Sequence, residues 1–186
     1  MLQLDQDAFW LEGVRKITSP NCDERPGDTE IDLLVIHGIS LPPGEYGGPH
    51  IDQLFTNTLS PQTHPYFTDI AGLKVSTHVL IDRHGEFTQY VPFNKRAWHA
   101  GKSEFKDRCE CNDFSIGVEL EGCDDLPYTD DQYQALVNVT HLLMTHWPAI
   151  TKDHIVGHSQ IAPGRKTDPG PAFDWTYYFN LLDENT

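Results

Sequence analysis

The spacing of apolar residues changes along this chain, and each spacing predicts an element. Asp32-Leu33-Leu34-Val35-Ile36-His37 is a continuous apolar run ending on a histidine. Such runs mark strands buried on both faces. Val75 to Ile81 reads the same way, with His78 in mid-strand. A turn at Arg83-His84-Gly85-Glu86 and a returning strand over Glu86 to Val91 follow it. From Phe114 to Glu121 the pattern is different. Phe114, Ile116, Val118 and Leu120 alternate with Ser115, Gly117, Glu119 and Glu121, the period of two of a half-buried strand. Ile155-Val156 marks the end of a further strand, with His158 at its exit. Helical spacing appears over Ile51 to Asn57, and again at Tyr133, Leu136, Val137, Thr140, Leu143, Met144 and Trp147. Thr129-Asp130-Asp131-Gln132 ahead of the second helix is a capping-box pattern, and Pro148 ends that helix. Phe173 to Leu182 predicts a closing helix. Residues 40–49 and 58–72 predict loops, the second long enough to cover a site.

Strands alternating with helices predict an α/β protein with a mixed central β-sheet and helices on both faces. Residues 1–186 form a single domain on this reading, with the core over about residues 30–183. A chain of 186 residues buries a core without staples. The longest apolar runs are about six residues, against the ~20 that a membrane helix needs. Residues 1–15 contain Asp5, Asp7 and Glu12 and no apolar h-region, so no signal peptide is expected and the cytoplasm is the expected compartment.

The formal charge of −15 argues against nucleic acid as a partner, because phosphates would be repelled. It also argues against anionic membrane surfaces, and its simplest meaning is solubility. Cys22, Cys109, Cys111 and Cys123 are expected to be reduced. Cys109-Glu110-Cys111 has no second cysteine pair to complete a structural metal site.

Candidate chemistry gathers at strand exits. Ligand sites in open α/β sheets lie at the carboxyl ends of strands, where His37 and His158 both stand. After His158 comes a loop punctuated by Pro163, Gly164, Pro169, Gly170 and Pro171, residues that let a loop hold one defined course. It carries Arg165, Lys166 and Asp168. Two imidazoles and a carboxylate suit Zn²⁺ and leave a fourth position open, as catalytic zinc sites do. Taken singly, each histidine is better explained as a hydrogen-bonded structural residue, and the loop is equally well explained as a turn with solvated charges. His78 is expected to be structural. Glu119 and Glu121 share one strand face, and either supplies a general base; periodicity does not choose between them.

Four stretches together carry a resemblance: LLVIHGISLPPGEYGGPHID (33–52), VSTHVLIDRHGEFTQYVPFNKRAWHAG (75–101), CNDFSIGVELEG (111–122) and GHSQIAPGRKTDPGPAFDW (157–175). The chain resembles the zinc-dependent N-acetylmuramoyl-L-alanine amidases of type 2, which share a fold with peptidoglycan recognition proteins. Within them it is similar to the cytosolic enzymes that act on 1,6-anhydro-muropeptides in bacterial wall recycling. The resemblance implies hydrolysis of the amide between the lactyl group of N-acetylmuramic acid and L-alanine. It implies one Zn²⁺ per chain, held by His37, His158 and Asp168. It selects Glu119 as the base and Lys166 as the group that stabilises the oxyanion. Substrate contacts are expected from Lys74, Trp98, Arg108, Ala162 and Arg165, while His99 is not assigned to the metal. The expected partner is an anhydromuropeptide, bound by a monomer. Because muropeptides are anionic, the pocket is expected to be locally basic, with Lys74, Arg96, Arg165 and Lys166 as candidates. Related enzymes carry a basic residue immediately before Cys111-Asn112-Asp113; here Glu110 stands there and Arg108 lies two residues earlier. Relatives that have lost the metal only bind peptidoglycan, and the complete ligand set argues against that alternative.

Overall fold

The apolar run at Leu33 and the alternating run at Ser115 meet in the middle of a six-stranded sheet in the computed structural model, which describes residues 2–27 and 29–184. In chain order the strands are β1 (Arg15–Lys16), β2 (Cys22–Asp23), β3 (Leu33–Ile39), β4 (Val79–Ile81), β5 (Phe87–Gln89), β6 (Arg96–Ala97), β7 (Glu104–Phe105), β8 (Arg108–Cys109), β9 (Ser115–Glu121) and β10 (Ile155–Gly157). The helices are α1 (His50–Phe55), α2 (Phe67–Ile70), α3 (Asp130–His146), α4 (His158–Ile161) and α5 (Trp175–Glu184). The main sheet runs β1-β5-β4-β9-β3-β10. β3 is parallel to β9 and β10, and β4 is parallel to β9 but antiparallel to β5, so the sheet is mixed as predicted. β2 pairs with β6 and β7 with β8 as small separate ribbons.

The alternation of side chains explains the layers. Leu34, Ile36, Ile116, Val118 and Leu120 face one side and pack with Leu136, Leu143, Tyr178 and Leu182 of α3 and α5. Leu80 and Tyr90 face the other side, against Ile51, Leu54, Phe55 and Phe67 of α1 and α2. Leu33 and Val35 join Phe114, Val156 and Ile161 in a third apolar group, so β3 is buried on both faces, as its unbroken apolar run requires. The capping box forms as predicted: the Gln132 amide N–H donates to the Thr129 hydroxyl, and the Thr129 amide donates to Gln132 Oε1. Among the described residues no helix is long and apolar enough to cross a membrane.

Several boundaries differ from the sequence pattern. The strand predicted from Val75 is regular only over Val79–Ile81. At His78 a side chain takes a ladder position: the Gly117 amide donates to His78 Nδ1, and Thr77 Oγ1 donates to the Gly117 carbonyl. His78 is structural, as expected, with Nε2 against the Lys95 carbonyl. Residues 58–72 are not all loop but contain α2. β1 and β2 escaped the sequence pattern because two residues carry no period.

Candidate active site

Register places the candidate groups. His37 of β3 is the direct partner of Glu119 of β9, so both side chains leave the same sheet face side by side. β10 flanks β3 on the other side, with Gly157 opposite Ile36, and His158 follows immediately as the first residue of α4. The loop after α4 then folds back. The Arg165 and Lys166 amides donate to the Ala162 carbonyl, and the Ser159 amide donates to the Asp168 carbonyl. The Tyr128 hydroxyl donates to the Pro169 carbonyl at 2.9 Å. Gly170 has φ +83° and passes so close to Asp124 that a Cβ would lie 2.2 Å from its Cα. Only glycine fits a left-handed position under that approach. The predicted defined loop course is present, and it delivers Asp168 to His158.

The three predicted ligands converge. His37 Nδ1 lies 2.9 Å from His158 Nδ1 and 3.1 Å from Asp168 Oδ2, and His158 Nδ1 lies 3.1 Å from the same oxygen. His158 Nε2 is 3.0 Å from the Ala100 carbonyl, to which it must donate, so a neutral His158 presents Nδ1 as a bare lone pair. Burial first, and then the neighbouring His158, push His37 down to about 4, which keeps it in the neutral form that ligates metals. Donor atoms of a tetrahedral ion bound at about 2.0–2.1 Å stand roughly 3.3 Å apart, close to the spacing here. Converging imidazole lone pairs and a carboxylate are satisfied by a cation at their centre. The donor set therefore fits a metal ion, and His37, His158 and Asp168 are the cluster able to hold one.

Glu119 stands beside them, 8% exposed, and its Oε2 has no hydrogen-bond partner among the described residues. Burial first, then the Asp168 carboxylate, push the Glu119 carboxyl well above the usual carboxylate range, while Lys166 pulls the other way. Glu119, Lys166, His158 and Asp168 all line one cleft of about 500 Å³. Ile39, Leu41, Leu54, Phe55, Tyr66 and Ile70 form its apolar wall, and Asp124 and Asp125 lie on its rim. Glu121, the other candidate base, points beyond this cleft and accepts a hydrogen bond from the Gly47 amide at 2.6 Å.

The predicted substrate residues lie elsewhere than on the cleft lining. The Trp98 indole donates to Asp23, and Arg108 pairs with Asp32 and stacks on the Phe114 ring at 3.7 Å. Ala162 is buried, and its carbonyl shapes the loop. Arg165 reaches back to the Ala100 and Lys102 carbonyls at 2.6 and 2.7 Å. Lys74 is exposed between Leu73 and Val75, which do line the cleft. The expectation of a basic pocket is corrected here. Arg96 is engaged by Asp23 and Asp113, and of the cleft-lining residues Lys166 is the cation, facing several carboxylates. The residues sequence reasoning missed are the apolar wall, whose members are scattered over four segments, and His99. The His99 ring lies 2.9 Å from His37, Nδ1 to Nε2.

A mixed-sheet frame with two imidazoles, a carboxylate and a buried glutamate gathered at one cleft is an arrangement suited to hydrolysis. Residues 27–171 match the N-acetylmuramoyl-L-alanine amidase family, and the chain belongs to it. It is 59% identical over 177 residues to the 1,6-anhydro-N-acetylmuramyl-L-alanine amidase AmpD of Escherichia coli (strain K12), covering 95% of this chain and 96% of that one. The AmpD of Haemophilus influenzae is 53% identical over 178 residues, with 96% and 97% covered. A crystal structure of a selenomethionine AmpD derivative superposes with a TM-score of 0.93 at 58% identity, covering 97% of this chain and 99% of that chain. AmpDh3 from Pseudomonas aeruginosa in complex with an anhydromuramic pentapeptide is 26% identical, with a TM-score of 0.64 over 97% of this chain and 66% of that one.

Proposed function

We propose that this chain is a zinc-dependent amidase that cleaves the bond between the lactyl group of 1,6-anhydro-N-acetylmuramic acid and L-alanine. It works as a cytoplasmic monomer in wall recycling on this reading, with one zinc per chain. The observation that carries the reading is the unpartnered, buried Glu119 oxygen beside three converging donor atoms. A protein that only bound peptidoglycan would have no use for a desolvated carboxylate there. The relatives named for this activity match over nearly the whole chain.

His37, His158 and Asp168 would hold the zinc, which supplies Lewis acidity that activates water and polarises a carbonyl. Glu119 takes a proton from the attacking water and returns it to the leaving nitrogen of L-alanine. Its raised proton affinity suits both halves of that transfer. Lys166 faces the negative charge that grows on the carbonyl oxygen. The apolar wall from Ile39 to Ile70 takes the non-polar faces of the substrate and excludes water. Lys74 and Arg165, at the margin, are the remaining candidates for its carboxylates, whereas Trp98, Arg108 and Ala162 act by shaping the surroundings.

The test is mass spectrometry of products from 1,6-anhydro-N-acetylmuramyl-tripeptide, before chelation, after chelation and with zinc restored. Free tripeptide and anhydro-sugar, lost on chelation and regained with zinc, are the expected result. Intact substrate that co-elutes with zinc-loaded protein would establish a binding module instead.

A further inference from the structure

His99 is a buried histidine that the proposed chemistry does not use, yet it touches a proposed ligand. The local hydrogen bonds fix which of its nitrogens carries the proton. The Ser115 hydroxyl lies 2.5 Å from the Cys111 carbonyl, which has no proton to give, so the serine proton is committed to that oxygen. Ser115 Oγ is also 3.2 Å from His99 Nε2 and is left only as an acceptor, so His99 Nε2 carries the N–H. In a neutral ring His99 Nδ1 is then bare and accepts from His37 Nε2 at 2.9 Å. With its proton on Nε2, His37 turns an unprotonated Nδ1 toward His158 and Asp168.

We propose that His99, oriented by Ser115, is a positioning residue that fixes the tautomer of His37 and so prepares its Nδ1 for the metal. The inference rests on the metal reading of the site given above. It assigns to this chain a three-step chain of donors: His37 to His99, His99 to Ser115, Ser115 to the Cys111 carbonyl. Carboxylates and carbonyls commonly orient ligand histidines in this way; here a second histidine does so.

The surroundings hold the ring in that role. Asn112 Oδ1 accepts from the His99 and Ala100 amides at 3.1 and 2.7 Å, which pins the main chain. Asn112 is in turn held through its carbonyl by Arg25, a half-buried guanidinium that also grips the Asp113 and Ser115 carbonyls. Gly117 lies directly under the ring, where a Cβ would stand 2.5 Å from His99 Cγ. Ser115, Gly117 and Glu119 thus share one face of β9, and the first two serve His99 while the third serves the cleft.

The test measures zinc affinity by competition with a chromophoric chelator, together with nitrogen-15 imidazole spectra of the zinc-loaded protein. His99→Leu keeps the volume but offers no acceptor, and is expected to bind zinc roughly 10–100-fold more weakly. His99→Asn, whose Oδ1 stands where the ring Nδ1 stood and accepts the same N–H, is expected to retain the wild-type affinity. The spectra are expected to show His99 neutral with its proton on Nε2. If His99→Leu fails to fold, Ser115→Ala carries the test, with weaker zinc binding and loss of the single His99 tautomer expected. Wild-type affinity in a folded His99→Leu, or a proton on His99 Nδ1, would overturn the proposal while leaving the metal site intact. A wild-type protein that binds no zinc would instead overturn the metal reading, and this inference with it.

Discussion

Gly117→Ala is the smallest change that tests the packing behind the site. Gly117 is fully buried on β9, and its φ is not in the left-handed region, so alanine is permitted by the backbone. The obstacle is His99, whose Cγ, Nδ1 and Cδ2 would lie 2.5, 2.6 and 2.8 Å from the new Cβ. Ordinary contact begins at 3.4 Å, so the ring must retreat by about 0.9 Å. It cannot do so freely, because its own amide is bound to Asn112 and its Nε2 to Ser115. Overpacking of this kind destabilises by about 1–3 kcal/mol. The lower backbone entropy of alanine in the unfolded chain offsets only about 0.4–1 kcal/mol. At roughly 2–4 °C per kcal/mol for a domain of this size, melting should fall by several degrees. The same retreat would stretch the 2.9 Å contact to His37 beyond a useful hydrogen bond. Circular dichroism melts of zinc-loaded and chelated protein read both effects. The melting temperature should drop in each, and the increment that zinc confers should shrink. A melting temperature and zinc increment equal to wild type would refute the packing described for β9 and His99.

Glu119→Ala should keep its zinc by atomic emission while kcat falls by about 10²–10⁴, because a base is lost and a ligand is not; equal loss of zinc would show the role to be wrong. His158→Ala should lose zinc and activity together, and full occupancy in that variant would remove His158 from the ligand set. In chelated protein the folded Glu119 carboxyl holds its proton more tightly than the unfolded one, so its contribution to stability is complete below the ordinary carboxylate range and is lost as pH rises. Glu119→Gln should therefore gain melting temperature relative to wild type as pH is raised, and a pH-independent difference would contradict the burial of Glu119. With a net charge of −15 and acidic residues on the cleft rim, an anionic substrate is repelled at long range, so kcat/KM should rise with added KCl. A fall would mean that cations such as Lys74 and Arg165 reach the substrate after all.

The elements that sequence revealed are those whose period survives over several residues. β3 and β9 carry seven residues each, and α3 carries a stripe together with its cap, so their apolar positions had only one consistent reading. The cluster of His37, His158 and Asp168 was legible only as a set: either histidine alone reads as structural, and it is two imidazoles late in or just after apolar strands, with a carboxylate in the following loop, that point to one place. The cleft wall was not legible. Ile39, Leu54, Phe55, Tyr66 and Ile70 come from β3, from α1, from the approach to α2 and from α2 itself, and each is ordinary in its own segment. The basic pocket was inferred from substrate charge alone, and the charge pairs that neutralise Arg96 and Arg108 depend on tertiary neighbours 17 to 76 residues away. Charge along a chain does not say which cations are already occupied.

The alternation over Ser115 to Glu121 shows how much a pattern holds without declaring it. Its polar face reads as a half-solvated strand, the ordinary meaning of a period of two. In the structure that face is buried throughout, and each residue on it does something different. Ser115 meets His99 Nε2, Gly117 leaves the space in which His99 lies, Glu119 presents an unpartnered oxygen, and Glu121 anchors the Gly47 amide. These roles are spaced by the strand repeat, about 6.6 Å for every two residues. The parallel pairing with β3 then sets His37 against Glu119 and Val35 against Gly117. A slip of one residue in that register would bring Val118 to His37 and turn Glu119 into the α3 core. The same pairing that buries Ile36 and Val118 on one face therefore aligns His37 and Glu119 on the other, and losing either would cost both.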